Sequence, residues 1–165
     1  AWDTLVEAGF DYSSSLFPTH AARHSVPDAP IAPATITAPN GGTILEIPLT
    51  VVSVAGVRLP AAGGGYLRHF PYWYTRWALR RLERERRPAV AYLHPYEIDA
   101  NAKVEGLPED LDPASMRRIQ KLVKSQFRNR RQTATKLRRL LEGFEWGSVE
   151  DVFQADLEQT PSQAQ

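Results

Sequence analysis

Ala89-Val90-Ala91-Tyr92-Leu93-His94-Pro95-Tyr96-Glu97 is the stretch on which the reading of this chain turns. Five apolar residues in a row, too few for a helix and closed by His-Pro, predict a short strand of the kind buried on both faces in a parallel sheet. His94 then falls at the C-terminal end of that strand. Barrel and open-sheet enzymes place their catalytic groups at such ends. Immediately upstream, Tyr72 to Arg87 predicts an amphipathic helix, with Trp73, Trp77, Leu79 and Leu82 on one side and Arg80, Arg81, Glu83, Arg84 and Glu85 toward water. Pro88 ends it. Further upstream, Ile44 to Leu49 and Val51 to Leu59 carry the β-branched, partly alternating pattern of strands, after an Asn40-Gly41-Gly42 turn. The order strand, loop, strand, helix, strand is that of a parallel α/β sheet or barrel lacking its first units.

Trp2 to Gly9 spaces Trp2, Leu5, Val6 and Ala8 along one helical face, and Gly9 is a natural helix stop. A helix entered at residue 1 without a cap reads as the continuation of a longer chain. Phe10 to Ser14 predicts a short strand, and the prolines at 18, 27, 30 and 33 make the next stretch a loop. Beyond Asp99 the composition shifts, with turns at Gly106, Pro108 and Pro113. Helices are expected from Ala114 to about Val123 and from about Thr133 to Leu141, the first capped by Asp112 ahead of Pro113. Residues 1–100 therefore read as one unit and 101–165 as a basic helical extension.

The 165 residues suffice for one modest domain with a core, and a net charge of +1 conceals an uneven distribution. With no cysteine, disulfides and thiolate metal sites are excluded, so a metal would need His and carboxylate ligands. No apolar run approaches the roughly 20 residues that span a bilayer. The compartment, cytoplasm or cell envelope, stays open.

His94 is the foremost site candidate, because its ordinary pKa suits proton transfer. A strand-end histidine bonded to a backbone carbonyl would look the same. His20-Ala21-Ala22-Arg23-His24 has the spacing of two ligands on one helix face, yet it lies in a proline-bounded loop with no third ligand nearby and reads as a decoy. The Gly63-Gly64-Gly65 run lacks the lysine and the helix start of a phosphate loop, so a bulge or a close backbone approach to substrate is expected. Trp73 and Trp77 read as core anchors at helical spacing.

Four segments in order, Gly9-Phe10 with Ser14-Ser15-Leu16-Phe17-Pro18, Leu45-Glu46-Ile47-Pro48, Ala62-Gly63-Gly64-Gly65-Tyr66-Leu67-Arg68 and Tyr92-Leu93-His94-Pro95-Tyr96-Glu97, resemble bacterial polysaccharide deacetylases of exopolysaccharide loci, members of the NodB-homology group of carbohydrate esterases. The resemblance runs from about Trp2 to Asp99 and more weakly into Leu137 to Leu141. It implies a distorted (β/α) barrel and metal-dependent hydrolysis of N-acetyl groups on a sugar polymer. The metal, usually zinc, would be held by an aspartate and an H-x-x-x-H pair, with a second aspartate as base. By the same resemblance Leu93 lines the acetyl-methyl pocket and His94 protonates the leaving amine, which leaves poorly as an anion. Tyr66, Arg68, Gly64 and Tyr96 become substrate contacts, the rings for stacking and the guanidinium for polar groups. Ser14 and Glu97 become supporting residues.

This chain departs from that pattern in two ways. The aspartate, metal-ligand and arginine motifs lie upstream in relatives and are not among these residues, so no metal ligand is assigned here. Relatives also read Tyr-Asp-Ser-Ser where this chain has Tyr12-Ser13-Ser14-Ser15, and Ser13 cannot supply the negative charge that would partner the histidine. Asp11, two residues earlier on the same strand face, is the substitute if the strand bends.

From Arg117 to Arg139 there are ten Lys or Arg residues and no Asp or Glu. Such a block fits an anionic surface, whether lipid or polymer. The blander expectation is a solvated face whose other side, Met116, Ile119, Leu122, Val123, Phe127 and Leu137, packs on the barrel. The sequence thus predicts the C-terminal portion of an α/β deacetylase barrel with a helical extension, acting on an N-acetylated polysaccharide, with no nucleic-acid partner expected. The alternatives are a non-catalytic module for an anionic polymer or membrane surface, and a degenerate family member.

Overall fold

A computed structural model describes residues 2–20, 25–101 and 111–160. Helix α1 (Trp2–Glu7) stops where predicted: Gly9 takes φ +77° and the Phe10 N–H reaches back to the Leu5 carbonyl at 3.0 Å. β1 (Tyr12–Ser13), β2 (Ala34–Thr37) and β3 (Thr43–Glu46) form one sheet in the order β1-β3-β2, with β1 parallel and β2 antiparallel to β3. β3 is the central strand, and its alternation decides the layering. Ile44 points to a cluster with Val6, Ala38 and residues of α1, while Leu45 joins Ile47 and Phe153 on the opposite face. β4 (Val51–Val54) and β5 (Val57–Pro60) are a hairpin turned at Ala55-Gly56, both at positive φ, the two-residue turn whose twist matches the strands.

α2 (Gly64–His69), α3 (Tyr72–Arg84) and α4 (Pro95–Ile98) follow, then α5 (Pro113–Phe127), α6 (Arg130–Gly143), α7 (Val149–Val152) and α8 (Gln154–Gln159). Asp112 caps α5 as expected, its Oδ1 accepting from the Ala114 and Ser115 N–H groups at 2.9 and 3.0 Å. The main core joins the hairpin to α2, α3 and α6 through Val52, Leu67, Ala78, Leu79, Leu82 and Leu140. Phe153, at the junction of α7 and α8, closes the far face of the three-stranded sheet over Leu45 and Ile47.

The result is a mixed α/β domain with two small sheets, neither of them closed into a barrel among the described residues. Four expectations need correction. Ala89–Leu93 joins no strand ladder. Its backbone groups are bonded elsewhere: the Thr50 hydroxyl donates to the Val90 carbonyl at 2.9 Å and accepts from its N–H at 2.6 Å, and the Gly64 N–H donates to the Tyr92 carbonyl at 2.7 Å. Ala34–Thr37 is a strand that the proline-rich reading missed. In α3 the buried stripe is Thr75, Ala78, Leu79 and Leu82, so that Trp73, 68 % exposed, and Trp77, 40 % exposed, lie on the outer side. Small Thr75 and Ala78 let the helix approach the hairpin closely, and the bulky indoles are left out. In α5 no side chain is fully buried and Leu122 is 58 % exposed, so the basic segment does not pack its whole apolar side.

Candidate functional site

His94 is the N-cap of α4, with Pro95 at the first helical position, where a missing N–H costs nothing. Glu97, three residues on, returns its carboxylate to the cap: Oε2 accepts from the His94 backbone N–H at 3.0 Å and lies 3.2 Å from His94 Nδ1. The His94 side chain is 54 % exposed, whereas that of Glu97 is 1 % exposed. An ionised carboxylate can only accept, so this contact is a hydrogen bond when Nδ1 carries a proton, and it orients the ring through that nitrogen. Tyr96 stacks on the imidazole with ring centres 5.1 Å apart, and Tyr92 meets it edge-on at 6.0 Å.

Behind this surface group lies a buried charged frame. Arg68, from α2, places Nε 3.7 Å from Glu97 Oε1 and donates through Nη1 to the Gln126 carbonyl at the end of α5. Arg130 is buried between rings, 3.5 Å from the centre of Phe127 and 5.3 Å from that of Tyr96, and its Nη1 reaches the Asp99 carbonyl at 3.4 Å. Lys136 donates to the Leu67, Arg68 and Phe70 carbonyls at the C-terminal end of α2, where a cation is favoured. Burial lowers its pKa below the ordinary lysine value. Two members of the basic segment are therefore committed to the interior, Arg130 against the His94 segment and Lys136 against the end of α2.

Gly63 and Gly64 have a local reason. Both are at positive φ, and a Cβ on Gly63 would stand 2.6 Å from Tyr92 Cδ1, while one on Gly64 would stand 2.9 Å from the Tyr92 hydroxyl. The close approach is to Tyr92. Contrary to the sequence reading, the glycine run does open a helix, α2. Tyr66 sits between Phe17 and Phe70, each with ring centres 5.6 Å away, and burial raises its phenol pKa. Leu93 is half-buried against the main core.

The structure brings together His94, Glu97, Tyr96, Arg68 and Gly64 with Tyr92. Arg68, read from sequence as a sugar contact, is 6 % exposed and committed to the frame. Ser13 is buried, with its hydroxyl 2.6 Å from that of Ser15, and neither it nor exposed Asp11 bonds to His94 among the described residues. Ser14 is exposed. Beside this strand Glu46 is 1 % exposed and accepts the Ser15 and Leu16 N–H groups at 2.7 Å each, anchoring the loop. Arg130 and Tyr92 were missed, Arg130 because it was read as one charge in a block. The His20 pair cannot be placed, because His24 lies outside the described residues. Among the described residues no group of three or more His, Cys, Asp or Glu side chains that could hold a metal converges. No described helix is long and apolar enough to cross a membrane.

What fold and site define is a mixed α/β domain presenting one histidine, oriented by a buried carboxylate, on a short helical cap. A family profile described as a domain of unknown function, DUF3473, matches residues 14–154, and the chain belongs to that family. No curated protein and no solved structure gives a significant match.

Proposed function

We propose that this domain supplies the proton-donating side of a polysaccharide deacetylase that removes N-acetyl groups from N-acetylhexosamine units. The observation that carries the reading is His94 itself, an exposed imidazole whose Nδ1 is held by the buried Glu97 carboxylate. Amide hydrolysis needs such a group, because the amine leaves well only when protonated. DUF3473 is a domain associated with the C-terminal regions of polysaccharide deacetylases, which supports the same reading.

In this account the ring, protonated on both nitrogens, gives its Nε2 proton to the departing nitrogen and is left as the Nδ1–H imidazole held by Glu97, and Leu93, beside it in sequence and half-buried, is the apolar wall for the acetyl methyl. Tyr96, stacked on the imidazole, limits the ring's rotation and offers its edge to the sugar. Arg68 and Gly64 act on the frame and not on substrate. Resemblance assigns the metal and the base to residues upstream of this chain, and no step through them is derived from the residues described here. Glu97 takes the orienting part that the resemblance gave to the aspartate replaced by Ser13. An active member of the family is therefore favoured over a degenerate one.

The test is acetate release from an N-acetylated oligosaccharide by the intact protein. His94→Ala is expected to reduce the rate roughly 10²- to 10⁴-fold. Full activity in that variant would overturn the assignment.

A further inference from the structure

Outside the His94 site, a groove of about 690 Å³ runs along the outer side of α3 and is lined by Trp73, Trp77, Arg76, Arg80, Arg84 and, from α6, Arg139. We propose that this groove binds a strand of carboxylate-bearing polysaccharide, as a second site that does not depend on His94. Three observations carry it. Trp73 and Trp77 are 68 % and 40 % exposed, where a helix facing only water has no use for two indoles. They stand about one helical turn apart, about 6 Å along the axis, so two exposed indoles recur at a spacing close to that of successive rings in a sugar chain. Among the described residues no carboxylate pairs with Arg76, Arg84 or Arg139, and Arg80 alone is paired, to Glu83 at 2.7 Å.

Arg76 flanks the two indoles, Arg84 lies about two turns beyond Trp77 on α3, and Arg139 enters from α6. Flat apolar face followed by planar cationic fork is the complement of a polymer whose every ring carries an acid group, since guanidinium binds carboxylate bidentately. Arg139 is held ready, its guanidinium 3.8 Å from the centre of the Tyr72 ring. The concavity argues against a lipid surface, which is flat.

The experiment is calorimetric titration of the intact protein with hexameric oligogalacturonate, with neutral cello-oligosaccharide and phosphatidylserine vesicles as comparison arms. The acidic oligomer is expected to bind and to weaken as salt is added, and the neutral one to give no heat. Arg76→Gln with Arg84→Gln, both at exposed positions, is expected to weaken binding roughly tenfold or more. His94→Ala is expected to leave binding unchanged, which separates this site from the deacetylase reading. Three results would overturn the proposal: no binding of oligogalacturonate, binding insensitive to the arginine pair, or vesicle binding that oligogalacturonate does not displace. A Trp73 shielded from acrylamide quenching in the intact protein would also overturn it, since another part of the protein would then fill the groove.

Discussion

Replacing Glu97 by Gln exchanges one carboxylate oxygen for an amide nitrogen and tests the frame behind His94. Arg68 and Glu97 are 6 % and 1 % exposed, so the variant leaves a guanidinium in the interior without its counter-charge. Breaking a buried pair costs about 3–5 kcal/mol. The 3.7 Å separation is longer than a hydrogen bond, and Arg68 keeps the Gln126 carbonyl, so the lower end, about 3 kcal/mol, is expected. Against a total stability of roughly 5–15 kcal/mol that loss is large, and it corresponds to a fall in Tm of roughly 6–12 °C. Urea titration of the intact protein measures it. Adding Arg68→Met removes the stranded charge and should recover most of the loss. In Glu97→Gln the new amide can still accept from the His94 N–H but no longer fixes the ring proton, so ¹⁵N spectra should show His94 passing from the Nδ1–H form to a mixture. A cost below about 1 kcal/mol, with Arg68→Met giving no recovery, would refute the reasoning.

Gly63→Ala meets both positive-φ strain and the Tyr92 ring and should cost about 2–5 kcal/mol. Gly56→Ala, at φ +81° with nothing near the added carbon, should cost only the strain, about 1–2 kcal/mol; equal urea midpoints for the two would remove the Tyr92 contact from the account. Partial burial, then Arg68, Arg128 and Lys136, hold the His69 imidazole below its usual pKa, against a smaller opposing effect of Glu97. The unfolded chain therefore takes up the proton first as pH falls, and stability is lost through the usual imidazole range and below it. His69→Gln should shrink the difference in urea midpoint between about pH 7.5 and about pH 5.5, and an unchanged difference would dismiss the effect.

Much of the local structure was legible because single residues dictate it. Gly9 ends α1, Asp112 and Pro113 start α5, and the Val/Leu runs form β3, β4 and β5. Ala89–Leu93 was misread because composition reports burial and extension, whereas a ladder needs a neighbouring strand; here Thr50 and Gly64 take the backbone bonds instead. Helical periodicity found α3 but mistook its buried face, since Thr75 and Ala78 carry little weight beside two tryptophans until the close approach of the hairpin is known. At the site, His94 was visible from its place after the apolar run and Glu97 only through the family resemblance, while the capping contact that joins them needed the turn geometry. Arg130 was not visible, because a guanidinium buried between Phe127 and Tyr96 leaves no mark in a run of like charges.

The claim that His94 protonates a leaving amine is tested most directly by varying the leaving group in the intact protein. A nitroanilide departs with little need of an acid, whereas an alkyl amine does not. The account predicts that His94→Ala slows acetate release from an N-acetylated oligosaccharide at least roughly tenfold more than release from p-nitroacetanilide. An equal loss on both substrates would contradict it.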